Sequence, residues 1–156
     1  MNAAALRIRP ARREDLSALL DLYQHLDPGD DRPALDRAQD ILARFEAYPG
    51  SAIYLGETNG VLTASCTLIV IPNLTRGGRP YALIENVVTH ADFRSRGYGK
   101  QLLLAASEAA WSVGCYKVML MTGSKKPETL AFYESAGFEQ SKTGFQKRLV
   151  AARLDD

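Results

Sequence analysis

The chain is poor in the groups that staple or anchor a protein. Its 156 residues include 2 cysteines, 2 histidines and 1 tryptophan, and neither charge is in excess: 19 Lys and Arg stand against 18 Asp and Glu, a formal net charge of +1. Each scarcity excludes something. Cys66 and Cys115 lie in apolar stretches with no second Cys or His close by. This argues against a zinc site, so no metal is expected, and it predicts buried, reduced thiols that behave as small hydrophobes. No segment approaches the ~20 apolar residues of a membrane span. Met1 to Arg13 carries Arg7, Arg9, Arg12 and Arg13 and no long apolar run, so it does not read as a secretory signal. A cytoplasmic protein without a membrane partner is expected. Near-neutrality also removes the broad electrostatic case for binding nucleic acid. What remains is an ordinary globular composition, 46% hydrophobic and 24% charged, of a length that suits one domain over residues 1–156.

Two rhythms follow one another along the chain. Leu6 to Pro10 alternates apolar and basic residues like a short edge strand. In Glu14 to Leu26, Leu16, Leu19, Leu20 and Tyr23 fall at helical spacing behind acidic Glu14 and Asp15. A second helix, marked by Leu35, Ala38, Leu42 and Phe45, stops before Pro49-Gly50. Strands over Ser51–Glu57 and Val61–Ile71 join through Asn59-Gly60, a pair that supplies the positive φ of a tight hairpin. From Tyr81 the order becomes strand (Tyr81–Thr89), helix (Lys100–Val113), strand (Tyr116–Thr122), helix (Pro127–Ala136) and strand (Thr143–Val150). Leu102, Leu103, Ala106, Ala110 and Val113 form the packing stripe of the first of these helices. Strand, helix, strand implies a crossover and a parallel pair, so the sheet should be mixed, in an α/β (α+β mixed-sheet) class.

The chemistry-bearing stretch is Thr89-His90-Ala91-Asp92-Phe93-Arg94-Ser95-Arg96-Gly97-Tyr98-Gly99-Lys100, between a strand and a long helix. Gly97 and Gly99 let the backbone curl toward an anion, and successive N–H groups at a helix N-terminus point outward with the positive dipole end behind them. Arg96 and Lys100 add charge. A pyrophosphate suits such a turn, although a plain strand-to-helix turn has the same glycines. The Rossmann and P-loop patterns both fail: there is no third spaced Gly, no Gly-Lys-Ser/Thr, and no acidic residue ending the next strand.

Arg94-Ser95-Arg96-Gly97-Tyr98-Gly99 and Ala131-Phe132-Tyr133-Glu134-Ser135-Ala136-Gly137-Phe138 together resemble two motifs of the GNAT family of N-acetyltransferases, in the right order and at the right spacing. The resemblance covers about residues 6–150. It implies a single-domain fold with a central, mixed and splayed sheet of six to seven strands flanked by about four helices. It also implies acetyl-CoA as co-substrate, held by the backbone of Val87, Val88 and Thr89 and by a pyrophosphate turn of Arg94, Ser95, Arg96, Gly97, Tyr98, Gly99 and Lys100. Lys126, with Lys125, would lie near the 3′-phosphate. A backbone N–H near Val88 would stabilise the developing oxyanion, and Tyr133 would protonate the departing thiolate. From its helix alone Tyr133 reads equally as core.

The general base stays open. Glu85 could deprotonate the acceptor ammonium or be an ordinary strand carboxylate; strict alternation puts it on one face with Val87 and Thr89, with Asn86 opposite. His90 is a base candidate or a turn residue. Ile84-Glu85-Asn86-Val87-Val88 is similar to the glucosamine-6-phosphate N-acetyltransferase branch, with Asn86 in place of its usual acidic residue, and aminoalkylphosphonate acetyltransferases share much of this look. Both imply a small primary amine bearing a phosphoryl group, for which Arg76, Arg79, Lys142 and Arg148 are available cations. A homodimer is also what the resemblance implies. A protein or peptide N-acetyltransferase and a noncatalytic acyl-CoA-binding module are the alternatives. The charge is divided to match: residues 14–57 hold ten acidic groups and three basic, residues 94–148 nine basic and four acidic.

Overall fold

The computed structural model describes residues 5–152, so the ends of the expected 1–156 unit, including the start of Met1–Arg13, lie outside the described residues. In chain order the elements are β1 (Arg7–Pro10), α1 (Leu16–Tyr23), α2 (Leu35–Glu46), β2 (Ala52–Thr58), β3 (Val61–Ile71), β4 (Tyr81–Thr89), α3 (Tyr98–Ser112), β5 (Val118–Leu120) and α4 (Pro127–Ser135). Short 3-10 turns lie at Arg13–Asp15, Arg76–Gly78 and Ala91–Phe93. The strands form one mixed sheet in the order β1-β2-β3-β4-β5, antiparallel except for the parallel β4–β5 pair. Among the described residues no helix is long and apolar enough to cross a membrane.

The sheet has a core on each face. Ala64, Cys66, Leu68 and Val70 of β3 pack with Ala82 and Ile84 against the α3 stripe of Leu102, Leu103, Ala106 and Ala110. On the other face Leu16, Leu19 and Leu20 of α1 and Ala38 and Leu42 of α2 cover Ile53, Leu55 and Val88. Both cysteines are free and buried, and burial pushes the Cys66 thiol up to about 12, so it stays protonated and inert. The β2–β3 hairpin turns where expected, with φ 50° at Asn59 and 77° at Gly60. Pro127 opens α4, and Gly137 follows its end with φ 89°.

One polar cluster fastens the far edge. The Arg9 guanidinium forks onto Asp15 at 2.7 and 2.8 Å and reaches Glu57 at 3.1 Å, while the Arg12 N–H donates to Asp15 at 2.7 Å. These bonds hold the Asp15 carboxyl below its ordinary range, the Arg9 hydrogen bond contributing most.

Several expectations are corrected. The first helix ends at Tyr23 rather than Leu26, because the amides of Gln24, His25 and Leu26 turn back on carbonyls three residues earlier ahead of Pro28-Gly29. Val113 lies beyond the buried stripe of α3 and is 45% exposed, as is the nearby Trp111. The expected Thr143–Val150 strand is absent, which leaves five strands among the described residues rather than six to seven. Residues 139–152 are all exposed, Phe145 at 94% and Leu149 at 103%. Alternation becomes a strand only where a neighbouring edge accepts its amides, and β5 forms only three pairs, all with β4.

Candidate active site

The site forms where β4 changes its relation to both neighbours. Against β3, Thr67 pairs with Glu85 but Ser65 pairs with Val88, so two steps on β3 face three on β4. The extra residue is accommodated at Asn86, whose φ of 51° suits asparagine. This bulge corrects the strict-alternation reading. Val87 packs toward the α3 core and Val88 toward α1 and α2, so Glu85, on the face opposite Ile84, shares the side of Val88 rather than that of Val87. The Thr89 hydroxyl lies beside Gly99 on the α3 side.

Against β5 the pairing ends. Ala82, Leu83 and Ile84 pair with Val118, Met119 and Leu120, and no further pair follows, so the expected Tyr116–Thr122 strand shortens to three residues. Beyond Ile84 a cleft of about 540 Å³ opens. Val87, Val88 and Thr89 line it from β4, Arg94, Ser95, Gly97, Tyr98, Gly99 and Lys100 from the turn, and Tyr133 from α4. The sequence motifs thus converge on one cavity.

The turn is a nest of donors. Ser95 (φ 61°) and Gly97 (φ 77°) are left-handed, and the first helical hydrogen bond of α3 runs from Gln101 N–H to the Gly97 carbonyl at 3.1 Å. Among the described residues, none of the backbone N–H groups of residues 95–100 finds an acceptor. Six such groups beside a cleft, with the positive end of a 15-residue helix behind them, fit an anion with several oxygens. Gly99 sets the clearance, since a Cβ there would stand 3.0 Å from the Phe132 ring and 3.3 Å from the Thr89 hydroxyl.

The side chains of the turn do less than their charges suggest. Arg94 is turned back, donating to the Thr89 carbonyl at 3.3 Å and the His25 carbonyl at 3.2 Å. Arg96 lies over the Phe93 ring and donates to the Asp92 carbonyl; it does not line the cleft. Tyr98 is buried beside Phe93, so its contribution to the turn is its amide. Lys126 is the exposed residue ahead of α4 and, like Lys125, lies outside the lining.

Tyr133 is half-buried against Phe132, with ring centroids 5.0 Å apart. Burial first, and then the Glu85 carboxylate, push its phenol above the ordinary tyrosine range. Glu85 does not line the cleft, but it lies close enough to act on Tyr133. His90 caps the Ala91–Phe93 turn through its ring nitrogen and is not aimed at the cavity. Arg76 and Lys117 face the Tyr116 ring at 5.6 and 5.3 Å, at the opposite end of β4 from the turn. Among the described residues no group of His, Cys, Asp and Glu is arranged to hold a metal. Sequence reasoning missed His25 and Leu26, which reach the cleft from the α1–α2 connection; no local pattern marks them.

Comparison with known proteins agrees with this geometry. Glucosamine 6-phosphate N-acetyltransferase of Trypanosoma brucei brucei is 34% identical over 133 residues, which cover 85% of this chain and 88% of that protein. A solved protein of Agrobacterium tumefaciens str. C58, assigned as an acetyltransferase, superposes with a TM-score of 0.85 at 48% identity, covering 91% of this chain and 99% of the other. The glucosamine-6-phosphate N-acetyltransferase structure from Arabidopsis thaliana shares the fold, with a TM-score of 0.84 at 21% identity over 94% of this chain and 99% of that one. Residues 16–138, which run from α1 through the donor nest to Tyr133, match the Acetyltransferase (GNAT) family, and the chain belongs to it as an acetyl-CoA-dependent N-acetyltransferase.

Proposed function

We propose that the protein transfers the acetyl group of acetyl-CoA to the primary amine of a small phosphorylated amino sugar, by direct transfer in a ternary complex. The observation that carries the reading is a cleft with unpaired amides at one end and the Tyr133 phenol in its wall. The choice of acceptor rests on the Trypanosoma relative, whose name specifies glucosamine 6-phosphate. An aminoalkylphosphonate carries the same pair of groups, an amine and a phosphoryl.

Bound acetyl-CoA would supply an activated thioester. The amides of residues 95–100 hold its pyrophosphate, and the open backbone of Val87, Val88 and Thr89 takes up the pantetheine arm where β5 no longer pairs. Arg94 and Arg96 keep the turn in shape through backbone carbonyls, Lys100 lends positive charge at the cleft, and Lys126 stands on the side assigned to the 3′-phosphate. A backbone N–H near Val88, on the side of β4 left open where β5 ends, would face the carbonyl oxygen as negative charge develops there, an interaction worth about 2.7–4 kcal/mol for one donor of this kind. Tyr133 donates its proton to the leaving sulfur. Its raised pKa keeps that proton in place at neutral pH, and the uphill transfer becomes easier as charge builds on sulfur. Glu85, on the Val88 side of the bulge, accepts the ammonium proton directly or through a water.

One domain spanning the chain, acting in the cytoplasm as a homodimer, completes the proposal. The exposed Phe145, Leu149 and Val150, and an edge strand of only three residues, are consistent with a second copy. A thiol-release screen with acetyl-CoA against glucosamine 6-phosphate, other amino sugars, aminophosphonates, polyamines and peptides tests the acceptor. Turnover confined to peptides would replace this reading with peptide acetylation. Binding of acetyl-CoA without turnover on any amine would leave an acyl-CoA-binding module.

A further inference from the structure

The protein's two histidines, 65 positions apart in sequence, meet beside the cofactor turn. Their rings lie against one another in a tilted arrangement, with centroids 4.0 Å apart and planes inclined by 39°. His25 belongs to the α1–α2 connection and lines the cleft; His90 follows β4, and its ring also meets Phe93 edge-on at 5.4 Å. Both accept hydrogen bonds at Nδ1, His25 from the Ala91 N–H at 3.3 Å and His90 from the Asp92 N–H at 3.2 Å. An N–H donor aimed at Nδ1 requires that nitrogen to be bare, so both imidazoles are neutral in this arrangement with their proton on Nε2. Arg94 adds a third tie through the His25 carbonyl. The segment leading into the donor nest is thereby fastened to the end of α1.

We propose that the His25–His90 ring pair is a latch that positions the cofactor turn and closes only when both imidazoles are neutral, so that acetyl-CoA affinity falls as pH drops and either ring takes up a proton. The inference rests on the reading of the turn as the acetyl-CoA site and adds two positioning residues to it. Protonation occurs at Nδ1, the accepting atom, so it breaks the Ala91 or Asp92 hydrogen bond. A second proton would put two cations against one another. The Asp92 carboxylate, 4.0 Å from His90 Nδ1, is ready to take up a protonated ring and draw it from the backbone N–H. Arg94 opposes protonation of His25, Asp27 follows His25 on its own connection, and Lys100 and Glu128 line the cleft from α3 and α4. A bound pyrophosphate would favour imidazolium, which is the opposite sign, so experiment separates a latch from a charge partner.

The test is acetyl-CoA calorimetry at pH 7.5 and pH 5.5 on wild type and His25→Asn/His90→Asn. Asn Oδ1 occupies the place of Nδ1 and accepts the same amide without titrating. The 3′-phosphate of the cofactor titrates near pH ~6, so the readout is the difference between the two proteins. Wild type should weaken more than the Asn variant between the two pH values, by up to about tenfold per pH unit for each proton that opens the latch. Each protein is compared with its own affinity at pH 7.5, so any loss caused by removing the two rings cancels and only the pH dependence is read. His90→Phe, which keeps a ring there and loses the acceptor, should bind weakly at both pH values.

A second measurement needs no variant. With two histidines in the chain, their imidazole proton resonances give two titration curves, and bound acetyl-CoA should move both midpoints to lower pH. Equal pH dependence in wild type and Asn variant, or midpoints that rise on binding, overturns the latch while leaving the cofactor site standing. No binding by wild type at pH 7.5 overturns the cofactor site and the latch together.

Discussion

The two seams that flank β4 differ in a way that accounts for the site. Toward β3 the ladder continues past the Asn86 bulge to Thr89, and the residues behind it are among the most buried of the protein. Toward β5 it stops after three pairs, and the backbone beyond is left to a cleft. The same strand is sealed on one side and open to a cleft on the other. A donor nest with unpaired amides would be costly in a closed ladder; at an open seam it is available to a ligand. Substitutions on the closed side should therefore change stability and spare kinetics, and those on the open side should do the reverse.

The largest effect should come from the closed side. Leu55→Ala, at a fully buried position on β2, is expected to cost about 2–5 kcal/mol in denaturant unfolding, with KM for acetyl-CoA unchanged in the folded fraction. On the open side, Tyr133→Phe should lower kcat about a hundredfold or more with little change in acetyl-CoA affinity or melting temperature; a rate equal to wild type would remove Tyr133 from the chemistry. Gly97→Ala meets no neighbour but must hold φ near 77°, so it is expected to weaken acetyl-CoA by roughly tenfold in calorimetry through backbone strain of about 1–2 kcal/mol.

Two pH experiments complete the set. Arg9→Met on the closed side should lose about 1–3 kcal/mol at neutral pH. Because the Asp15 carboxyl is held down in the folded protein, that stabilisation is fully present above the ordinary aspartate range near ~3.9 and disappears as pH falls through the lowered folded value. The urea midpoints of wild type and variant should therefore converge in acid. Smallest is the pH shift from Glu85→Gln, read on the rate that survives loss of the proposed base: removing that carboxylate should bring the alkaline limb of kcat, which the proposal assigns to Tyr133 and which lies above ~10, to lower pH. An unmoved limb would separate the two residues.

Legibility in the sequence followed the range of the interactions involved. The Asn59-Gly60 hairpin, the turn around Gly97 and the ends of α4 were readable because local φ requirements name the residue. The convergence of Val87–Thr89, the turn and Tyr133 was readable from two motifs taken together. The bulge at Asn86 was not, because period-two alternation has no signal for one inserted residue. The Thr143–Val150 strand was expected from its pattern, but pattern does not supply a partner edge. The sequence marks Arg96 as added charge and Arg94 as part of the turn, and only the folded chain reveals that both guanidiniums bind backbone carbonyls. His25 was invisible because its partner on the turn is 66 residues away.

The length of α3 gives the protein a built-in reporter. The helix begins at the donor nest and carries the sole tryptophan, Trp111, 13 positions beyond Tyr98, roughly 20 Å along the axis. Half-exposed at that distance, the indole should keep its emission when ligand fills the cleft and lose it when the two cores come apart. Intrinsic fluorescence would then follow unfolding with little contribution from ligand occupancy, so stability can be read in the same way with and without ligand.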